Sequence, residues 1–219
     1  MGKQGFEKLF DLRDRVAIVT GGSRGIGRSL AEGYALAGAK VVVASRKFEA
    51  CQETVATIEK AGGTALAVST HMGELAQLKA LADCTLDHFG RIDIPVHKAA
   101  NALAQPFRQI TPEAWEKSLA VNLRGPVFLT QYCLPGLDQS AHASVINVSS
   151  AGAFIFSAYT HMYAAAKTGL LAYVRSCAAE LAPRIRVNGI APGTIDTDMV
   201  RNNTPEMQSK MADGGLVPR

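Results

Sequence analysis

Short runs rich in Val and Ile alternate with longer amphipathic stretches from residue 16 to residue 191, and this alternation constrains the fold most tightly. VAIVT (16–20), KVVVAS (40–45), TALAVS (64–69), IDIPVHKAA (92–100), ASVINVS (143–149) and IRVNGIA (185–191) read as six strands. Residues 25–37, 49–61, 74–89, 112–137 and 159–182 read as helices, with a break expected near Gly125-Pro126. Strands apolar on both faces are buried on both sides, and helices between them make the sheet parallel. Right-handed crossovers then give a Rossmann-like, doubly wound α/β fold. No linker or repeat divides the 219 residues, so one domain over 1–219 is expected.

Composition narrows the function. Lys and Arg number 23 against 19 Asp and Glu, and the surplus is scattered, so no nucleic-acid footprint is expected. Cys51, Cys84, Cys133 and Cys177 form no C-x-x-C pair and no Cys/His cluster, which predicts free thiols and no metal. No apolar run is long enough to span a membrane, and the first residues carry no apolar signal core. A cytoplasmic protein acting on small molecules is expected.

The first strand runs into Thr20-Gly21-Gly22-Ser23-Arg24-Gly25-Ile26-Gly27, and a helix follows. Glycines let a backbone approach a pyrophosphate, and the helix N-terminus offers free N–H groups to it. The competing reading is an ordinary tight connection; the strand before and the helix after favour a nucleotide. Gly21, Ser23, Arg24, Gly25, Ile26 and Gly27 are the expected contacts. An NAD site places an acid about 20 residues further on. Here Ala44-Ser45-Arg46-Lys47 stands instead. Ser45 and Arg46, with Arg24, suit a 2′-phosphate, so NADP is the expected cofactor. Lys47 reads as a solvated surface residue.

Tyr163-Ala164-Ala165-Ala166-Lys167 puts a phenol and an ammonium on one helical face. An ammonium beside it would draw the phenol pKa down, and Tyr163 would serve as general acid or base. Ser150 closes the fifth strand at its C-terminal end, 13 residues before Tyr163. Ser149, one residue too far, reads as strand-end filler.

Taken together, TGGSRGIG (20–27), Asn122 in WEKSLAVNLRG (115–125), NVSS (147–150), YAAAK (163–167) and RVNGIAPGTIDTDM (186–199) resemble the short-chain dehydrogenase/reductase family, in its order and spacing, over residues 12–219. The resemblance implies a hydride transfer between NADP(H) and a carbonyl or secondary alcohol. Tyr163 would be the proton donor or acceptor. Lys167 would lower its pKa and bind the nicotinamide ribose. Ser150 would hold the substrate oxygen, and Asn122 a water linking Lys167 to solvent. Asn101, Pro192, Gly193, Ile195 and Thr197, with Tyr163 and Lys167, would contact the cofactor. A homo-oligomer, dimer or tetramer, is implied.

Three stretches depart from the family pattern. An N-N-A-G-like run is replaced by Val96-His97-Lys98-Ala99-Ala100, with Pro95 inside an expected central strand. The third strand is followed by Thr70-His71-Met72-Gly73, where many relatives carry an aspartate for the adenine amine. The sequence also stops at GLVPR (215–219), so the family's last helix and seventh strand are expected to be missing, leaving the sixth strand as an edge. LVPR has a second reading as a tag remnant. These departures keep an alternative open, a relative that binds NADP(H) with little turnover. Phe107, Phe154, Ile155 and Phe156 suggest an apolar-walled substrate pocket.

Overall fold

The computed structural model describes residues 9–155 and 158–201. Six strands appear among them: β1 (Val16–Thr20), β2 (Lys40–Ser45), β3 (Thr64–Ser69), β4 (Ile94–His97), β5 (Ser144–Val148) and β6 (Arg186–Ile190). All pair in parallel in the order β3-β2-β1-β4-β5-β6. The order reverses between β1 and β4, and ligands of open α/β sheets bind outside the strand ends at such a point. The GLVPR segment lies outside the described residues, and β6 stands at the edge of the described sheet.

Both sheet faces are covered. Helices α1 (Gly25–Leu36) and α2 (Phe48–Lys60) bury Ala31, Ala35, Cys51 and Ile58 against Ala17, Val19, Val41 and Val43. On the other face lie α3 (Leu75–Phe89), α4 (Pro112–Leu119), α5 (Gly125–Leu137) and α6 (His161–Leu181). There Leu78, Leu81, Leu129, Cys133 and Val174 meet Ile18, Val42, Val145 and Val187. Burial on both faces explains the near-continuous apolar runs of β1 and β2.

The sequence predicts a break near Gly125-Pro126, but the chain stays helical there. A π-helical turn (Ala120–Arg124) joins α4 to α5 with αR dihedrals at both ends. Pro126 is among the first residues of α5 and directly follows the π turn, whose altered hydrogen-bond pattern carries the helix past a residue with no amide donor. Pro95 does lie in a central strand, opposite Ile18 of β1. Asp93 brackets the defect: its N–H donates to the Val16 carbonyl (3.0 Å) and its carboxylate accepts from the Val16 N–H (2.8 Å). Arg91 and the Ser140 hydroxyl also donate to that buried carboxylate.

Candidate active site and dinucleotide crevice

At the end of β1 the chain turns with Gly21 at φ +68°, a left-handed conformation that favours glycine. A Cβ on Gly27 would lie 2.0 Å from the Gly21 carbonyl oxygen, so only glycine lets α1 close onto the turn. Arg24 occupies the N-cap of α1 without a side-chain cap, which leaves the first N–H groups of the helix to face outward. Ile26 is half-buried beside them.

The end of β2 is tied to this turn. The Ser45 hydroxyl donates to Ser23 Oγ (2.8 Å) and lies 3.2 Å from Cys51 Sγ. Arg46 is exposed, and its carbonyl accepts from the Ser69 hydroxyl. Ser45 therefore positions the strand end, and the Arg46 and Arg24 side chains are the ones that extend outward.

Beyond the switch point, Ser150, Tyr163 and Lys167 converge. Ser150 caps a short 3₁₀ turn (Ala151–Ala153) by accepting from the Gly152 N–H (3.1 Å). Tyr163 and Lys167 share one face of α6, and the Lys167 ammonium sits 5.8 Å from the centre of the Tyr163 ring. Lys167 is buried, with 1% of its surface exposed, and donates to the Val148 carbonyl (2.7 Å). Burial first, and the charge of Lys98 second, pull its pKa down to about 8. Burial also raises the Tyr163 phenol, against a lowering hydrogen bond from Ser150. The expected lowering of Tyr163 by Lys167 is not found, because the ammonium is turned to Val148 and lies over the ring. Ser149, read as filler, is buried and donates to the Lys167 carbonyl.

Asn122 sits buried in the π turn. Its amide donates to the carbonyl and side-chain oxygens of Asn101 (2.8 Å each) and accepts from the Asn101 N–H (3.1 Å). Asn101 in turn donates to the Lys117 carbonyl. The two side chains clamp the segment after β4 to the π turn, so Asn122 acts first through Asn101. The segment after β6 closes the crevice. Ser149 N–H donates to the Ile190 carbonyl, and Ala151 N–H to the Pro192 carbonyl. A Cβ on Gly25 would lie 3.2 Å from Thr197 Cγ2. Gly193 and Ile195 are exposed between these anchors.

The short chain dehydrogenase family model matches residues 15–208. The chain belongs to the short-chain dehydrogenase family. It is 36% identical over 203 residues to human "Dehydrogenase/reductase SDR family member 4", covering 92% of this chain and 73% of that one. It superposes with TM-score 0.91 on a 7α-hydroxysteroid dehydrogenase solved with NADH and 7-oxo glycochenodeoxycholic acid, at 31% identity, covering 96% of this chain and 83% of that one. A Burkholderia cenocepacia short-chain dehydrogenase in complex with NADP superposes with TM-score 0.89 at 29% identity, covering 95% and 85%.

The short-chain dehydrogenases are oxidoreductases that bind a nicotinamide cofactor and act on small molecules. The residues present fit such a group. The glycine turn is shaped so that a side chain would fill it, and the cations around it are unopposed. Six ion pairs involve Asp11, Glu32, Asp83, Asp93, Asp138 and Asp196; none includes Arg24, Arg46, Lys98 or Lys167 among the described residues.

The departures also find physical places. His97 is buried, with Nε2 2.8 Å from Thr130 Oγ1. Thr130 already donates to the Pro126 carbonyl, so Nε2 carries the proton and Nδ1 is left as a bare acceptor. Burial, aided by Lys167, lowers His97 to about 3, so it is neutral at physiological pH. His71 accepts from the Gly73 N–H through Nδ1 and thereby organises its own loop. Phe107, Phe154 and Ile155 are exposed, and Phe107 packs edge-on against His161; Phe156 lies outside the described residues. Thr20, not singled out from sequence, accepts from the N–H groups of Lys98 and Ala99 and donates to the Val96 carbonyl. Its signal was a hydroxyl residue at a strand end directly before the glycines.

Among the described residues no three His, Cys, Asp or Glu side chains group to hold a metal, and no helix is long and apolar enough to cross a membrane.

Proposed function

We propose that this chain is an NADP(H)-dependent oxidoreductase that reduces carbonyl compounds and, in reverse, oxidises secondary alcohols. The observation that carries this reading is the meeting of Ser150, Tyr163 and Lys167 at the strand ends, beside a glycine turn whose Arg24 has no ion-pair partner among the described residues. The nicotinamide supplies the hydride. Tyr163 gives the proton to the substrate oxygen, and its raised pKa keeps it protonated and ready to donate. Ser150 holds the same oxygen. Lys167 would bind the nicotinamide ribose, and its ammonium, 5.8 Å from the centre of the Tyr163 ring, favours the phenolate left once Tyr163 has given up its proton. Asn122 positions the segment carrying Asn101, which lines the cofactor. Gly21, Ser23, Arg24, Gly25, Ile26 and Gly27 hold the pyrophosphate side, and Pro192, Gly193, Ile195 and Thr197 the nicotinamide side.

The absence of an acid after β2, with exposed Arg46 and Arg24 in its place, supports NADP over NAD. Exposed Phe107, Phe154, Ile155, Tyr159 and Ile195 support a substrate with an apolar body. The steroid ligand of one structural relative has that character. The reading extends to a single catalytic unit over 1–219 in a cytoplasmic homo-oligomer, which size-exclusion chromatography tests by apparent mass.

Turnover of NADPH and NADH side by side, against a panel of aldehydes and ketones, tests the function. A preference for NADPH is expected. A strong preference for NADH overturns the role given to Arg46. Tight NADPH binding with no turnover on any member of the panel favours a binding protein.

A further inference from the structure

Lys98 occupies a position that the reaction does not explain. It follows β4 at the switch point, where its N–H donates to Thr20 Oγ1 (3.0 Å), as does that of Ala99 (3.2 Å). A Cβ on Gly21 would lie 3.0 Å from Ala99 Cα, so residues 98 and 99 rest directly on the phosphate-binding turn. The side chain is half-buried. Burial, and then the charge of Arg24, pulls its pKa down, and its own charge in turn acts on Lys167. No carboxylate pairs with any of the three among the described residues; Asp196, in the segment over the turn, is held by Arg201. A half-buried ammonium among like charges is unfavourable unless an anion joins them.

Resting on the NADP(H) reading above, we propose that Lys98 is a direct ligand of the dinucleotide pyrophosphate, supplying charge from the β4 side where the turn supplies backbone N–H groups. An amide at this position could offer a hydrogen bond there but no charge. Lys98 thus trades stability of the ligand-free protein for cofactor affinity.

Isothermal titration calorimetry with NADP⁺ and with 2′-AMP, which lacks the pyrophosphate, tests this on wild type, Lys98→Met and Lys98→Asn. Both variants are expected to bind NADP⁺ about ten- to a hundredfold more weakly. Their affinity for 2′-AMP stays within about twofold, because that ligand lacks the pyrophosphate to which Lys98 is assigned. Ligand-free Lys98→Met melts above wild type, because a half-buried charge among other cations is gone; a merely structural lysine would give the reverse. Unchanged NADP⁺ affinity in both variants, or equal loss for 2′-AMP, overturns the inference and leaves the functional reading standing. Wild-type protein that binds neither NADP⁺ nor NAD⁺ overturns both.

Discussion

Lys167 makes the stability of this protein depend on alkaline pH in an unusual direction. Its ammonium is buried against the Val148 carbonyl, and burial lowers its pKa from the ordinary 10.5 to about 8. Between those two values the unfolded chain holds a proton that the folded chain has released. Stability therefore rises with pH where the unfolded state binds more protons. Below about pH 8 the folded protein carries the burden of the buried charge in full. Integrating the linkage from pH 7, the gain is on the order of 1 kcal/mol by pH 9 and roughly 2–3 kcal/mol by pH 10. Other groups titrate over the same range, so the gain must be read as a difference. Lys167→Met keeps the length of the side chain and removes this titration, together with the hydrogen bond to Val148 and the charge that acts on His97. Urea denaturation of both proteins at pH 7, 8, 9 and 10 gives the difference directly. Wild type should gain on the variant by those amounts. A difference that stays flat from pH 7 to pH 10 refutes the buried, lowered ammonium.

Three further outcomes follow from single contacts. Asp93→Ala removes a buried carboxylate that accepts from Val16 N–H, Arg91 and Ser140. It should cost about 1–3 kcal/mol in urea denaturation, because buried donors lose their acceptor while Arg91 remains partly in solvent. Burial alone would raise the Asp93 pKa, but the hydrogen bonds from Arg91, Ser140 and Val16 outweigh it and lower it. The stability it contributes is therefore present above its unfolded pKa and lost as pH falls through the folded one, a loss absent from the variant. Asn122→Ala strips the clamp from Asn101 and leaves its N–H and carbonyl unpaired. A loss of about 2–3 kcal/mol is expected, with faster amide exchange at Asn101. Arg46→Asp places an acid after β2, and the ratio of kcat/KM for NADPH to that for NADH should fall at least about tenfold, the worth of one charge-assisted contact.

The fold was legible because strand burial writes itself as apolar runs. All six expected strands are present, in the expected doubly wound parallel sheet. The glycine turn was legible for a similar reason: close approach leaves glycine as the residue that fits. What sequence did not reveal depends on where flexible or distant atoms end up. The i, i+4 spacing puts Tyr163 and Lys167 on one face, yet four methylenes let the ammonium choose the Val148 carbonyl. The Asn101–Asn122 clamp joins residues 21 apart through a π turn that no periodicity announces. Gly125-Pro126 looked like a helix break, because the pattern does not show that Pro126 falls where its missing donor is harmless. His97 looked out of place in a central strand, and the Thr130 hydroxyl that receives it lies 33 residues away.

The central claim is that Tyr163 delivers the proton in an NADPH-dependent reduction. NADPH oxidation by wild type and Tyr163→Phe, with NADPH affinity measured by calorimetry on both, tests it most directly. The variant should bind NADPH as wild type does within about twofold, and turn over at least about a hundredfold more slowly, the range of a lost general acid. A variant that binds NADPH and reduces the same carbonyl at the wild-type rate contradicts it.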